Sequence, residues 1–140
     1  MATLAADQAL QDWATHWSSH DMEKLLSIFT DDCIYEDVTL GVVNHGKSEL
    51  TQFATGFFTA FPDFHVELQS HFDAGAWAAV EWSMSGTHEG DLMGTPPTHK
   101  HFSLRGMSAF EVRDGKIRRC SDYWDFVTFA RQLGLPTPTS

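Results

Sequence analysis

The sequence predicts an α+β fold, and three observations carry that expectation. Apolar residues recur at helical spacing up to Pro62. A period-two alternation replaces that spacing from Phe64. Asp114-Gly115, a two-residue hairpin signal, then sits between two long stretches that read as strands. Helices grouped ahead of a run of antiparallel strands make a mostly antiparallel sheet with helices on one side.

The elements follow in order. Leu10, Trp13, Ala14 and Trp17 fall at i, i+3, i+4 and i+7, one face of a helix over roughly residues 4–19. His20-Asp21 interrupts it, and Asp21 is placed to cap a second helix carrying Met22, Leu25, Leu26 and Phe29. CIYEDV (33–38) reads as a short strand, and Gly41 to Gly46 as a loop. Ser48 is expected to cap a third helix whose stripe is Leu50, Phe53, Ala54, Phe57 and Phe61, stopped by Pro62. Phe64, Val66, Leu68, Ser70 and Phe72 then alternate with His65, Glu67, Gln69 and His71. Strands are expected at about 77–87, 101–112 and 116–124, with the Gly- and Pro-containing loop 88–100 between the first two. Phe126, Phe129, Ala130 and Leu133 suggest a short closing helix ended by Gly134. Leu135–Ser140 is too short a tail to separate domains, so 1–140 is read as one domain.

Composition narrows the partners. The chain has 140 residues and a formal net charge of −10, with nine Lys and Arg scattered along it. Phosphate-backbone binding needs clustered cations, so neither nucleic acid nor an anionic membrane is an expected partner. No apolar run approaches the ~20 residues that span a bilayer, and the N-terminus lacks a basic signal-peptide region. Cys33 and Cys120 both fall in strand-like segments, so buried free thiols in a reducing cytoplasm are expected. Eleven Phe, five Trp and two Tyr are many for this length; they either thicken a core or line an apolar cavity. Long strands with apolar residues on both faces also suggest a homodimer through the sheet.

Several ordered motifs carry a family resemblance. They are WSSHDMEKLLSIFTDDCIYED (17–37), HGK (45–47) with FFTAFPDF (57–64), SGTHEGDLMGTPPTHK (85–100), and RDGKIRRCSDYWD (113–125) with RQLGLP (131–136). In this order they resemble the SnoaL-like polyketide cyclases of the NTF2-like superfamily. The resemblance implies a cone: a curved, mostly antiparallel sheet wrapped around three N-terminal helices, with a short C-terminal helix. It also implies an intramolecular aldol closure that uses no cofactor and no metal.

Such a reaction needs a base beside a carbonyl and donors for the enolate. Aligned on Gln132–Gly134, Asp122 falls where the family's catalytic Asp stands. Its alternative is an ordinary strand acid, and Asp125 reads as an N-cap. Tyr35, His88 and Arg105 are candidates to polarise the substrate. Tyr35 and Asp37 share one face of the first strand. Trp13, Trp17, Phe53, Phe57 and Trp82 either line the cavity or pack the core, with Ser108 as a further ligand contact.

The resemblance also contains a departure. Ser108 aligns where active cyclases carry a His or Asp that assists the catalytic acid. That favours a second reading, a non-catalytic binding domain for an apolar ligand or partner protein. The epoxide-hydrolase branch is a third reading, weakened because Met107, not an acid, lies two residues after Arg105. His99 and His101 have H-x-H spacing and could join His88 at a metal, but no metal site is expected. The expected ligand is a small hydrophobic molecule.

Overall fold

The computed structural model describes residues 2–137, with side chains from Asp7 onward. Residues 138–140 of the expected tail lie outside the described residues. The elements run α1 (Ala2–Ser19), α2 (Met22–Ser27), β1 (Phe29–Asp37), β2 (Val42–His45), α3 (Gly46–Ala60), β3 (His65–Ala74), β4 (Trp77–Thr87), β5 (His101–Arg113), β6 (Lys116–Trp124) and α4 (Phe126–Leu133). This is the α+β architecture expected, with an open, curved six-stranded sheet in the order β2-β1-β6-β5-β4-β3.

The meander β3 to β6 is antiparallel throughout. One pair departs from that pattern: β1 lies parallel to β6, with Tyr35 opposite Cys120 and Asp37 opposite Asp122. Register shifts interrupt β1 between Phe29 and Ile34, β3 between Leu68 and Ser70, and β5 between Glu111 and Val112. Such bulges bend a sheet, and bending produces the hollow that the helices fill. Trp13 and Trp17 of α1 and Leu50, Phe53, Ala54 and Phe57 of α3 are buried against the sheet's inner residues. Among the described residues, no helix is long and apolar enough to cross a membrane.

Local chemistry explains most boundaries. Asp21 caps α2 by accepting from the Lys24 N–H, and Asp125 caps α4 by accepting from the Thr128 N–H. Gly134 ends α4 in the left-handed conformation, φ 73°. Asp114 and Gly115 both have positive φ, 53° and 78°, as a tight hairpin turn requires.

Three expectations change. The loop 41–46 contains β2, a four-residue edge strand paired with β1. α3 starts at Gly46 rather than after Ser48; its N-cap is His45, whose side chain makes no capping bond and whose backbone N–H donates to the Glu49 side chain. Phe29 belongs to β1, because α2 stops at Ser27.

Candidate functional site

Strand parity builds the floor of the cone. Tyr35 and Asp37 point inward from β1, Asp122 and Trp124 from β6, and Ser108 from β5. The parallel β1–β6 register then sets two carboxyl groups side by side on one face, Asp37 at 2% and Asp122 at 7% exposure.

Asp122 is held by three donors. Ser108 Oγ donates to its Oδ1 at 2.5 Å, Cys120 Sγ to the same oxygen at 3.3 Å, and Tyr35 Oη to Oδ2 at 2.5 Å. Burial nevertheless dominates and lifts the carboxyl to about 7; the bonds from Ser108, Tyr35 and Cys120 pull it down, while the charge of Asp37 pushes it further up. The Tyr35 hydroxyl is itself pushed well above its ordinary range, first by burial and then by the Asp122 charge, so it remains a neutral O–H donor.

Asp37 has different partners. Its Oδ1 accepts the Leu40 N–H at 2.9 Å, and the Trp124 indole N–H lies 3.2 Å from Oδ1 and 3.0 Å from Oδ2. Burial raises its carboxyl above the usual carboxylate value, against the pull of these N–H groups.

Trp13, Trp17, Phe53, Phe57, Phe64, Val66, Trp82 and Met84 wall the cavity above this floor. Trp82 is anchored by its indole N–H, which donates to Ser108 Oγ at 2.8 Å. It reaches Ser108 by crossing Gly106, where an added Cβ would meet the indole at 2.5 Å. A chain of contacts therefore runs from Trp82 through Ser108 to Asp122. Among the described residues, the buried indole N–H groups of Trp13 and Trp17 have no hydrogen-bond partner, which is uncommon for strong donors. The cavity is narrow, about 30 Å³. Phe57 and Trp124 also line a second apolar recess of about 140 Å³, with Leu40, Leu92, Met93, Phe126 and Leu135.

The structure thus brings together Asp122, Tyr35, Trp13, Trp17, Phe53, Phe57 and Trp82, with Ser108 directly behind Asp122. It does not bring His88 or Arg105 to them. Arg105 lies between the inward-facing Leu104 and Gly106 and projects from the opposite face of the sheet, beside Glu81 and Met107. His88 is fully buried in the fold of loop 88–100, where Nδ1 meets Thr98 and the ring packs on Phe61. The H-x-H pair fails as a shared face because His99 has φ 61° and β5 begins only at His101. His99 pairs with Glu89 and His101 with Thr87. Asp37 and Trp124 are the floor residues that the sequence reading did not single out as site residues. The signal was their parity, two residues beyond Tyr35 and Asp122 respectively.

Comparison with known proteins gives the family. The model of the SnoaL-like polyketide cyclase family matches residues 7–133. The chain belongs to this family. Among relatives, aklanonic acid methyl ester cyclase DnrD of Streptomyces peucetius is 36% identical over 75 residues, 54% of this chain and 52% of DnrD. Nogalonic acid methyl ester cyclase of Streptomyces nogalater is 39% identical over 66 residues, 47% of this chain and 49% of the relative. The matched stretches span about half the length of these SnoaL-like relatives. Among solved structures, the polyketide-cyclase candidate IdmH from Streptomyces antibioticus superposes with a TM-score of 0.78 at 25% identity, covering 92% of this chain and 98% of IdmH. TsrD from Streptomyces laurentii superposes at 0.85 with 18% identity, covering 97% and 99%, a likeness of fold. The NTF2-like cone is therefore the fold of this SnoaL-like chain.

Proposed function

We propose that this SnoaL-like protein is a cofactor-independent enzyme of the polyketide cyclase and isomerase type, with Asp122 as general acid/base on a small hydrophobic carbonyl compound. The observation that carries this is Asp122 itself: a carboxyl at the bottom of an apolar cavity, poised near 7 by burial. A group with that value can both take and return a proton near neutral pH. Asp122 removes a proton beside a carbonyl, and the O–H of Tyr35 turns toward the enolate oxygen. The enolate carbon closes onto a second carbonyl, and the proton returns to the oxygen formed there.

The relatives point to a substrate class, methyl esters of polyketide acids such as those in their names. Substrate entry needs side chains to move, since the cavity alone is too small for a ring system. A swing of Phe57 would join it to the neighbouring recess. The unpartnered Trp13 and Trp17 indoles offer donors to ligand oxygens, which favours a ligand over a self-filled core. A homodimer through the outer sheet face and a reducing cytoplasmic setting for the two buried thiols complete the reading.

The narrow cavity and Ser108 favour one alternative, a non-catalytic binding domain. Turnover of aklanonic acid methyl ester by wild type and Asp122→Asn separates the two. The enzyme reading expects the variant to lose roughly a hundredfold or more; equal rates would sink the role of Asp122. The epoxide-hydrolase reading loses its arginine, because Arg105 faces away from the cavity.

A further inference from the structure

The floor holds a second carboxyl that the one-acid reading leaves idle. Asp37 lines the same cavity as Asp122, is buried like it, and is its register partner across β1 and β6. Burying two acids side by side in an apolar hollow is costly, and packing alone gives no reason for both.

Their partners differ in kind. Those of Asp37 are N–H groups, from Leu40 and the Trp124 indole. Such groups donate and cannot accept, so they suit an ionised carboxylate. The principal partners of Asp122 are the hydroxyls of Ser108 and Tyr35, which can turn from donor to acceptor. Asp122 can therefore hold a proton while its hydroxyl partners turn to accept it, whereas the N–H partners of Asp37 favour its ionised form. Two like charges this close also resist being ionised together, so one of the pair keeps a proton.

Resting on the enzyme reading above but replacing its single-acid step, we propose that the two acids divide the proton work: Asp37, in place of Asp122, is the carboxylate that takes the substrate's proton, and Asp122 is the neutral acid that gives one. The steps balance. Asp37 removes the proton beside the carbonyl, and the C–H electron pair becomes the enolate, whose oxygen is met by the Tyr35 hydroxyl. The enolate carbon bonds to the second carbonyl carbon, and that carbonyl's π pair moves to its oxygen. This oxygen takes the proton of Asp122. Asp37 ends neutral and Asp122 ionised, and transfer of one proton from Asp37 to Asp122 restores the site. Nothing is oxidised or reduced. The charge of Asp37 raises the Asp122 carboxyl, the direction the division requires. Among the described residues, the side chains bonded to the pair are Tyr35, Ser108, Cys120 and Trp124, none of them a cation.

The test follows both carboxyl carbons by ¹³C NMR through a pH titration of the intact protein, with Asp37→Asn and Asp122→Asn assigning the signals. Asp37 is expected to ionise at lower pH than Asp122; the reverse order overturns the division. Turnover of the methyl ester is measured alongside. Asp37→Asn is expected to lose roughly a hundredfold or more in kcat and the acid limb of the pH profile, while Asp122→Asn loses the alkaline limb. An active wild type with an Asp37→Asn within about threefold of it, both limbs kept, overturns this inference and leaves Asp122 acting alone. A wild type inert toward the ester overturns the enzyme reading and the inference together. Should Asp37→Asn not fold, Asp37→Glu keeps the charge; it is expected to be slower but to retain the acid limb, and loss of that limb counts against the proposal.

Discussion

Asp122 makes the site costly to keep. Its carboxyl moves from an ordinary 3.8 to about 7 on folding. Between those values the folded protein holds a proton that the unfolded chain has released. Stability therefore falls as pH rises through this window and levels off above it, by on the order of 4 kcal/mol. Asp37, also raised by burial, adds in the same direction. Asp122→Asn removes most of the fall, so thermal melts should show the variant gaining on wild type as pH climbs past neutrality. Parallel melting curves for the two proteins at every pH would contradict this. Asp122 was legible because the Gln-Leu-Gly signal fixes its alignment. Asp37 was legible only as a face-mate of Tyr35, since nothing local to β1 reveals that its parallel partner is β6. His88 and Arg105 were misplaced for the same reason: residue type says what a side chain can do, while strand parity and loop path decide where it goes.

At the level of elements, the strands with clear alternation or a clear turn were legible to within a residue or two, as with β4, β5, β6 and the Asp114-Gly115 hairpin. β2 was not, because Val42–His45 is four residues long and gains its identity only by pairing with β1. Gly106 matters to the site through β4 and β5 together. Its missing side chain lets the Trp82 indole cross β5 to Ser108, and a Cβ there would also meet the Tyr123 carbonyl oxygen at 2.8 Å. Gly106→Ala should therefore cost about 1–3 kcal/mol by overpacking, read as a lower urea midpoint. It should also weaken the Ser108 bond to Asp122, because Trp82 is displaced from the hydroxyl it anchors. A variant as stable as wild type would show that the indole has another resting place.

At the scale of the molecule, the inner face of the sheet meets helices while the outer face is left with large apolar side chains. Phe72, Trp77, Met107 and Tyr123 are about half exposed there, one on each of β3 to β6. A second copy covering this face would bury them in a self-complementary contact. Met107→Glu sets a charge in the middle of that surface. Sedimentation velocity is expected to give a dimer for wild type and a monomer for the variant; a monomeric wild type would refute the face as a self-interface. The α+β class was legible from element order, and the cone from the family resemblance. How tightly aromatic residues fill it was not, because packing depends on rotamers that no pattern records.

The parallel closure of β1 on β6 has a kinetic consequence. Tyr35 and Asp122 are 87 residues apart in the chain, so their bond waits on contacts of long range. Such contacts are made slowly, since loop entropy is spent before they form. A chain stalled short of this step can own most of the meander and still carry two hydrated acids with no affinity for a proton out of the ordinary. If that docking comes last, the charge is desolvated there and the docking is the pH-sensitive stage of refolding. Stopped-flow traces should find it fastest in mildly acidic buffer, where a proton is already at hand for Asp122, and progressively slower as the buffer turns alkaline.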